Sequence, residues 1–245
     1  MKIKKILISQ PAPANGSPYA DLIAKHKVDI DFIPFFTVEP VHSKEFRLQK
    51  INIPEFTAIV FTSRTTIDVF FNLCEELRIA IPESMKYFCI SEAIALYLQK
   101  HIIYRKRKIF FGNGTPASIL EAIGVKHKSE NFLLTVADNY RSDINRQFAK
   151  AKLKHSSAIL VKTVSCDLSN LDITQYNIVV FYSPSDVKSL KKNYPNFTQG
   201  NLEFATFGPA TLKALKAAKL VSNIKAPTPE APSIAKALSL YFEQK

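Results

Sequence analysis

Hydroxyl-bearing residues recur in this chain directly after short apolar runs. Thr62 and Ser63 follow one such run, and Tyr182 and Ser183 follow another. A serine or threonine at that place is typical of a helix N-cap, and helix N-termini receive anions because their backbone N–H groups are unpaired and carry partial positive charge. These residues therefore predict a site for an acidic ligand, built from amides and hydroxyls.

Other junctions of this kind supply further candidate side chains. Thr211 lies on the first turn of a helix that begins at Pro209, so we expect its hydroxyl to contact ligand. Arg64, at a first helical position, can hold a carboxylate through its planar guanidinium. The full candidate binding set is Thr62, Ser63, Arg64, Ser91, Gly114, Thr115, Ser183, Gly208, Pro209 and Thr228. Hydroxyl caps also occur in helices that bind nothing, so a purely structural role stays open for the capping residues.

The elements that position these residues occur twice along the chain. Three pairs of segments match in the same order, namely 56–70 with 176–190, 88–98 with 205–215, and 112–120 with 225–234. Each segment reads as a buried strand, a cap and a helix. In the third pair, Thr115-Pro116 and Thr228-Pro229 both predict a cap followed by proline at the first helical position. The chain therefore contains two related α/β units.

Strands that alternate with helices predict doubly wound parallel sheets. In such folds the ligand crevice lies beyond the carboxyl ends of the strands, where helix N-termini converge. All the junctions above fall at those ends, so we expect them to line one cleft between the two units. The net charge of +12 also favours an acidic ligand.

Motifs for common cofactors and nucleophiles are missing from the sequence. The six glycines form neither a dinucleotide fingerprint nor a P-loop, and the three cysteines and five histidines lack metal-ligand spacing. No apolar run is long enough to span a membrane, and the N-terminus reads as the first strand of a cytoplasmic protein. The basic run from Arg105 to Lys108 has no nucleic-acid-binding module beside it, which makes nucleic-acid binding the weaker alternative.

Four segments, in order, resemble the uroporphyrinogen-III synthase family. They are Phe61-Thr62-Ser63-Arg64, Gly112-Asn113-Gly114-Thr115, Phe207-Gly208-Pro209-Ala210-Thr211, and Ala226-Pro227-Thr228-Pro229 with the helix that follows. The resemblance covers nearly the whole chain. It implies a monomeric lyase without a cofactor, a polyanionic substrate (hydroxymethylbilane), and neither a nucleic-acid nor a membrane partner.

The resemblance also implies a reaction in haem biosynthesis. The terminal hydroxyl of hydroxymethylbilane leaves as water, the last ring is inverted through a spiro intermediate, and the macrocycle closes to uroporphyrinogen III. A tyrosine common in the family's return linker is Val161 here, so Tyr182 and Tyr140 are candidates to assist loss of the hydroxyl. We expect Thr211 and Tyr182 to be the catalytic residues; a non-catalytic protein that binds tetrapyrroles or other anions is the alternative.

The family architecture, finally, has one domain interrupted by the other. By resemblance, residues 1–34 and 167–245 would form a discontinuous first α/β domain. Residues 35–166 would form the inserted second α/β domain. Two linker strands, near 35–38 and 160–164, would join them.

Overall fold

The computed structural model describes residues 5–14, 16–138 and 143–244. These residues divide into two compact units. The first unit comprises the described residues up to Thr37 and from Val164 onward, and the second unit is Val38–Thr163. The unit boundaries predicted from the sequence, after residue 34 and before residue 167, each lie about three residues from these boundaries.

Eleven strands lie in the described residues. In chain order they are β1 (Lys5–Ile8), β2 (Asp29–Phe32), β3 (Phe36–Pro40), β4 (Ala58–Phe61), β5 (Lys86–Cys89), β6 (Ile109–Phe111), β7 (Phe132–Ala137), β8 (His155–Ser165), β9 (Ile178–Phe181), β10 (Glu203–Phe207) and β11 (Ile224–Ala226). They form one sheet of five strands, ordered β11-β10-β9-β1-β2, and one of six, ordered β3-β8-β7-β4-β5-β6.

The α-helices of the described residues number nine. They are α1 (Ala20–His26), α2 (Ser43–Leu48), α3 (Arg64–Glu76), α4 (Glu92–Tyr97), α5 (Pro116–Ile123), α6 (Asp143–Lys150), α7 (Pro184–Asn193), α8 (Pro209–Ala217) and α9 (Ile234–Glu243). None of these described helices is long and apolar enough to cross a membrane.

The five-stranded sheet is parallel throughout and buried on both faces. Successive residues of β9 alternate between two apolar clusters: Val180 packs with α1 and α9 on one face, and Val179 packs with α7 and α8 on the other. This two-sided burial explains why the strand reads as an unbroken apolar run.

In the second sheet, β4 is likewise buried on both faces. On β4, Ile59 packs with α3 and α4, whereas Val60 packs with α5 and α6 on the opposite face. The repeated segments occupy equivalent places, because β4-β5-β6 are neighbours in one sheet and β9-β10-β11 are neighbours in the other. The two doubly wound α/β units predicted from the sequence are confirmed.

One predicted helix start is wrong. Thr228 and Pro229 do not begin a helix; α9 begins at Ile234, and the Ser233 side chain caps it by accepting the Lys236 N–H. A helix from Pro229 would place Pro232 where the first intrahelical hydrogen bond is needed, and proline has no N–H to donate. The Thr228 hydroxyl instead closes a local turn by accepting the Ala231 N–H at 3.0 Å.

The chain crosses between the units inside β3 and inside β8, which are hydrogen-bonded neighbours. After β3 ends, the side chain of Gln49 takes over as partner of β8. Its amide donates to the Ile159 carbonyl and its oxygen accepts the Ile159 N–H, both at 2.8 Å. Gln49 thus supplies the two hydrogen bonds that a further strand residue would otherwise give.

Replacing Gln49 with alanine removes both partners of Ile159. We expect the free energy of unfolding to fall by about 1–3 kcal/mol, since half-buried backbone groups lose their hydrogen bonds. Urea denaturation measures this. Gln99→Ala is the matched control, because Gln99 is exposed and should change stability by less than about 0.5 kcal/mol. Equal midpoint shifts for the two variants would contradict the assignment.

Candidate active site at the strand ends

Three predicted residues lie side by side at the carboxyl edge of the first unit's sheet. Ser183, Gly208 and Thr228 follow the neighbouring strands β9, β10 and β11. The Gly208 N–H donates to the Ala226 carbonyl at 2.6 Å, which holds two of the junctions together. Gly208 has a φ of +82°, a backbone conformation that favours glycine, and it leads directly into Pro209 at the start of α8.

The second unit brings its predicted residues together in the same way. Ser63, Ser91 and Gly114 follow β4, β5 and β6, which are neighbours. Ser91 forms an antiparallel bridge with Asn113, and the Gly114 N–H donates to the Ile90 carbonyl at 2.7 Å. The structure therefore places these residues along one edge of each sheet, as parallel pairing requires.

Two of the predicted capping hydroxyls accept hydrogen bonds from their own helices. Ser63 Oγ accepts the Thr66 N–H at 3.1 Å, and Thr115 Oγ1 accepts the Ser118 N–H at 3.3 Å. Ser91 also precedes a helix with an extended backbone, but its side chain makes no capping hydrogen bond. Of these three hydroxyls, Ser91 has the one that is not committed to its own helix.

The turn before α5 depends on Ser118, which is not among the site residues predicted from the sequence. Ser118 Oγ accepts the Asn113 N–H at 2.9 Å and donates to the Thr115 carbonyl at 2.7 Å. A side chain at Gly112 would overlap this hydroxyl. Gly112 is therefore needed for close approach, and Ser118 fixes the backbone around Gly114.

Arg64 is exposed at the first position of α3, and its guanidinium lies 5.4 Å from the centroid of the Tyr97 ring. Asp68 orients that ring by accepting from Tyr97 Oη at 2.7 Å, and it also pairs with His101 Nε2 at 2.7 Å. Burial opposes ionisation of Asp68, but these bonds, with Lys100 nearby, hold the pKa of its carboxyl below the usual range. The stacked guanidinium keeps its N–H groups available for an anion.

Tyr182 is fixed through its backbone on both sides. Its N–H donates to Asp186 Oδ2 at 2.9 Å, and its carbonyl accepts from Thr211 Oγ1 at 3.2 Å. Thr211 is only 2% exposed, so its hydroxyl acts on Tyr182 within the fold. Burial raises the pKa of Asp186, although N–H groups of Ser183 and Tyr182 favour its charged form.

The side chain of Tyr182 is fixed by a second tyrosine. The hydroxyls of Tyr19 and Tyr182 are hydrogen-bonded to each other. The Tyr182 ring lies 5.7 Å from Phe207, and the Tyr19 ring lies 5.9 Å from Phe32. These four rings, here called the aromatic cluster, lie on one face at the carboxyl edge of the first sheet.

The two phenols of this pair differ in environment. Tyr19 is 3% exposed, and burial together with its hydrogen bond to Tyr182 raises its pKa. Burial also raises the pKa of Tyr182, but the bond from Tyr19 lowers it in part. Either hydroxyl can be the donor of this hydrogen bond, and when Tyr19 donates, the Tyr182 proton is directed elsewhere.

Sequence reasoning missed Tyr19. The available signal was its place between the first strand and the first helix, the same kind of junction as those after β4 and β9. Val161 is buried in β8 and presents no hydroxyl there, and Tyr140 lies outside the described residues. No group of three histidine, cysteine or acidic side chains comes together in the described part of the chain.

Known structures match this architecture at low identity. A mutant uroporphyrinogen III synthase from the extreme thermophile Thermus thermophilus has 11% identity and a TM-score of 0.57, with 99% of this chain and 100% of that chain covered. Uroporphyrinogen-III synthetase from Helicobacter pylori 26695 has 16% identity and a TM-score of 0.59 at the same coverage. At such identities the likeness shows the fold alone. No curated protein sequence matches the chain significantly.

The family is shown by a different comparison. The sequence profile described as "Uroporphyrinogen-III synthase HemD" matches residues 17–236, which include every predicted site residue and nearly all of both units. Since that match agrees with the four segments singled out in the sequence and with the two-unit fold, this chain belongs to the uroporphyrinogen-III synthase family and is an enzyme of tetrapyrrole synthesis.

Proposed function

We propose that this chain converts hydroxymethylbilane to uroporphyrinogen III as a lyase that needs no cofactor. The family match over residues 17–236 carries the proposal, and the tyrosine pair of the first unit supplies a chemical means. We further propose that the enzyme is a cytoplasmic monomer and that it does not act on nucleic acid.

The substrate's carboxylates require groups that stabilise negative charge. Both sheet edges offer them as helix N-termini, hydroxyls and, in the second unit, the stacked Arg64 guanidinium. We assign binding to Thr62, Ser63, Arg64, Ser91, Gly114, Thr115, Ser183, Gly208, Pro209 and Thr228. A net charge of +12 adds a long-range attraction for such a substrate.

The reaction begins with loss of the terminal hydroxyl, and Tyr182 is placed to assist it. The Tyr182 hydroxyl gives its proton to the departing oxygen, the carbon–oxygen bond breaks, and water leaves with the bonding electrons. The pyrrole nitrogen donates electrons into the ring and becomes an azafulvenium. Tyr19 donates a hydrogen bond to the phenolate that forms, which lowers its energy.

Tyr182 also recovers the proton that it gives away. The azafulvenium N–H is acidic, so the Tyr182 phenolate recovers a proton from it and the neutral azafulvene remains for ring closure. Phe207 and Phe32, which flank the tyrosine pair and are half-buried, offer apolar faces to the reacting pyrrole. The rest of the rate enhancement comes from the orientation that the site imposes on the flexible substrate.

In this scheme Thr211 and Asp186 are positioning residues. Thr211 holds the Tyr182 carbonyl and Asp186 holds the Tyr182 N–H. Thr211 is buried, so it reaches the substrate only through the tyrosine. This assigns to Thr211 an indirect role, where the sequence alone predicted direct contact with ligand.

The activity itself is tested by the isomer formed. A coupled assay generates hydroxymethylbilane in place, and the products are oxidised and separated by chromatography. Uncatalysed closure gives the type I isomer, and we expect this protein to shift the product to type III. Type I alone, from folded protein that binds tetrapyrrole, would overturn the enzyme assignment in favour of the non-catalytic binding protein.

Removing the Tyr182 hydroxyl tests the proton donor. We expect Tyr182→Phe to lower kcat on the order of a hundredfold, the usual contribution of general acid catalysis. Tyr19→Phe should lower kcat about tenfold, since a hydrogen bond to a charged group contributes about 1.5–3 kcal/mol. Type III formation rates at saturating substrate measure both. The solvent deuterium isotope effect on kcat should shrink in Tyr182→Phe.

Tyr194→Phe is the matched control for these variants. Tyr194 is in the same unit, and its hydroxyl is bound to the carbonyls of Leu168 at 2.7 Å and Leu171 at 2.6 Å. This variant loses hydrogen bonds away from the aromatic cluster, so it should keep wild-type kcat. Equal losses in Tyr194→Phe and Tyr182→Phe would mean that the tyrosines matter for stability alone.

A separate pair of variants tests Thr211. Thr211→Val keeps the shape but removes the bond to Tyr182, so kcat should fall about fivefold, the equivalent of about 1 kcal/mol, with KM unchanged. Thr211→Ser retains a hydroxyl and should recover most of the rate. Steady-state kinetics decides the role: a raised KM with unchanged kcat would instead mean that Thr211 touches the substrate.

A further inference from the structure

The second unit has a cavity of about 510 Å³ that the proposed reaction does not use. It lies between the C-terminal end of α3, residues 79–85 and residues 101–109. Met85 immediately precedes β5, and Ile109 begins β6, so the cavity is at the amino-terminal ends of these strands. The junctions at Ser91 and Gly112 are at the other ends of the same strands, roughly 10 Å or more away.

The interior of the cavity is apolar. Cys74, Met85 and Ile109 form a buried floor, each no more than 4% exposed. Four isoleucines contribute the rest of the aliphatic lining: Ile79, Ile81, Ile102 and Ile103. The Ile103 side chain is 79% exposed. An apolar ligand body would remove this surface from water.

One neutral hydrogen-bonding group faces this apolar space. Tyr87 is 6% exposed and lines the cavity, yet its hydroxyl is hydrogen-bonded to none of the described residues. Burial raises the pKa of Tyr87 to about 12 and that of the neighbouring Cys74 thiol to about 12, so both groups stay neutral. The neutral Tyr87 hydroxyl can donate to an acceptor on a ligand.

A run of cations reaches the rim of the cavity. Arg105 and Lys108 line it, and they belong to a run of four consecutive cations, Arg105 to Lys108. Lys108 Nζ contacts the Glu83 carbonyl, which keeps its ammonium at the rim. Two carboxylates, Glu75 and Glu83, also line the cavity and balance these two cations, while the two further cations of the run lie beside the cavity without lining it.

We propose that this cavity is a second ligand site, which binds an amphipathic organic anion. The apolar interior takes an aromatic or aliphatic body, Tyr87 donates to an acceptor on that body, and Arg105 with Lys108 holds a carboxylate or sulfonate at the rim. A volume of about 510 Å³ is within the range that accommodates ligands of drug-like size. The site shares no residue with the substrate-binding set, so it stands apart from the proposed reaction.

Two fluorescent probes of nearly the same shape test the charge requirement. 1-Anilinonaphthalene-8-sulfonate carries an anion, and N-phenyl-1-naphthylamine is its neutral counterpart. We expect saturable binding of both to the full chain, with the sulfonate bound more tightly. Arg105→Ser should reduce that preference about threefold or more, since an ion pair of this kind contributes up to about 1 kcal/mol.

Matched controls localise the binding. Arg107→Ser removes the same charge two residues away, from a residue that does not line the cavity, and should leave the preference unchanged. Ile81→Glu places a carboxylate on the cavity lining and should weaken the sulfonate at least tenfold. Val125→Glu makes a similar change at an 84% exposed position outside the cavity and should not.

The proposal fails if neither probe saturates, or if Arg105→Ser and Arg107→Ser have equal effects. Equal effects would mean that the sulfonate responds to overall charge alone. The serine pair decides the question even if Ile81→Glu does not fold, because both arginines are exposed. Formation of the type III isomer is measured separately, so a negative result at this cavity leaves the proposed enzyme function untouched.

Discussion

Parallel pairing of strands that are buried on both faces is the constraint on which the rest of this structure depends. Such strands all leave the sheet at the same edge, and each must be followed by a helix that returns to cover a face. Helix N-termini therefore gather at one edge of each sheet. That edge is polar, and the helix N-termini gathered there can receive an anionic substrate.

Within this edge, most hydroxyls serve the fold. Ser63 and Thr115 commit theirs to helix N-termini, and Thr211 commits its own to the Tyr182 backbone. Tyr182 differs, because its hydroxyl is paired with the Tyr19 hydroxyl rather than with a helix N-terminus or a backbone carbonyl. In the proposed reaction, the Tyr182 hydroxyl gives the proton and the more deeply buried Tyr19 hydroxyl stabilises the phenolate that forms.

Local chemistry explains what the sequence could and could not predict. Ser183 with Pro184 and Thr115 with Pro116 begin helices as expected. Thr115 caps its helix with its own hydroxyl, whereas at Ser183 the Asp186 carboxylate accepts the backbone N–H. Thr228 with Pro229 looks the same over two residues but fails because of Pro232, three positions further along. The pairing of Tyr19 with Tyr182 could not be found locally, since the two residues are 163 positions apart. A contact between residues so far apart in the sequence leaves no signature in composition or spacing.

The internal repeat places different residues at equivalent junctions of the two units. Thr62 and Arg64 of the second unit occupy the places of Tyr182 and Pro184 in the first. The second copy thus has a cation at its helix start and a small hydroxyl before it, which suits recognition of carboxylates. The first copy has a phenol there, followed by a proline that fixes the backbone. In the proposed reaction, these two positions distinguish an edge that binds carboxylates from one that donates a proton.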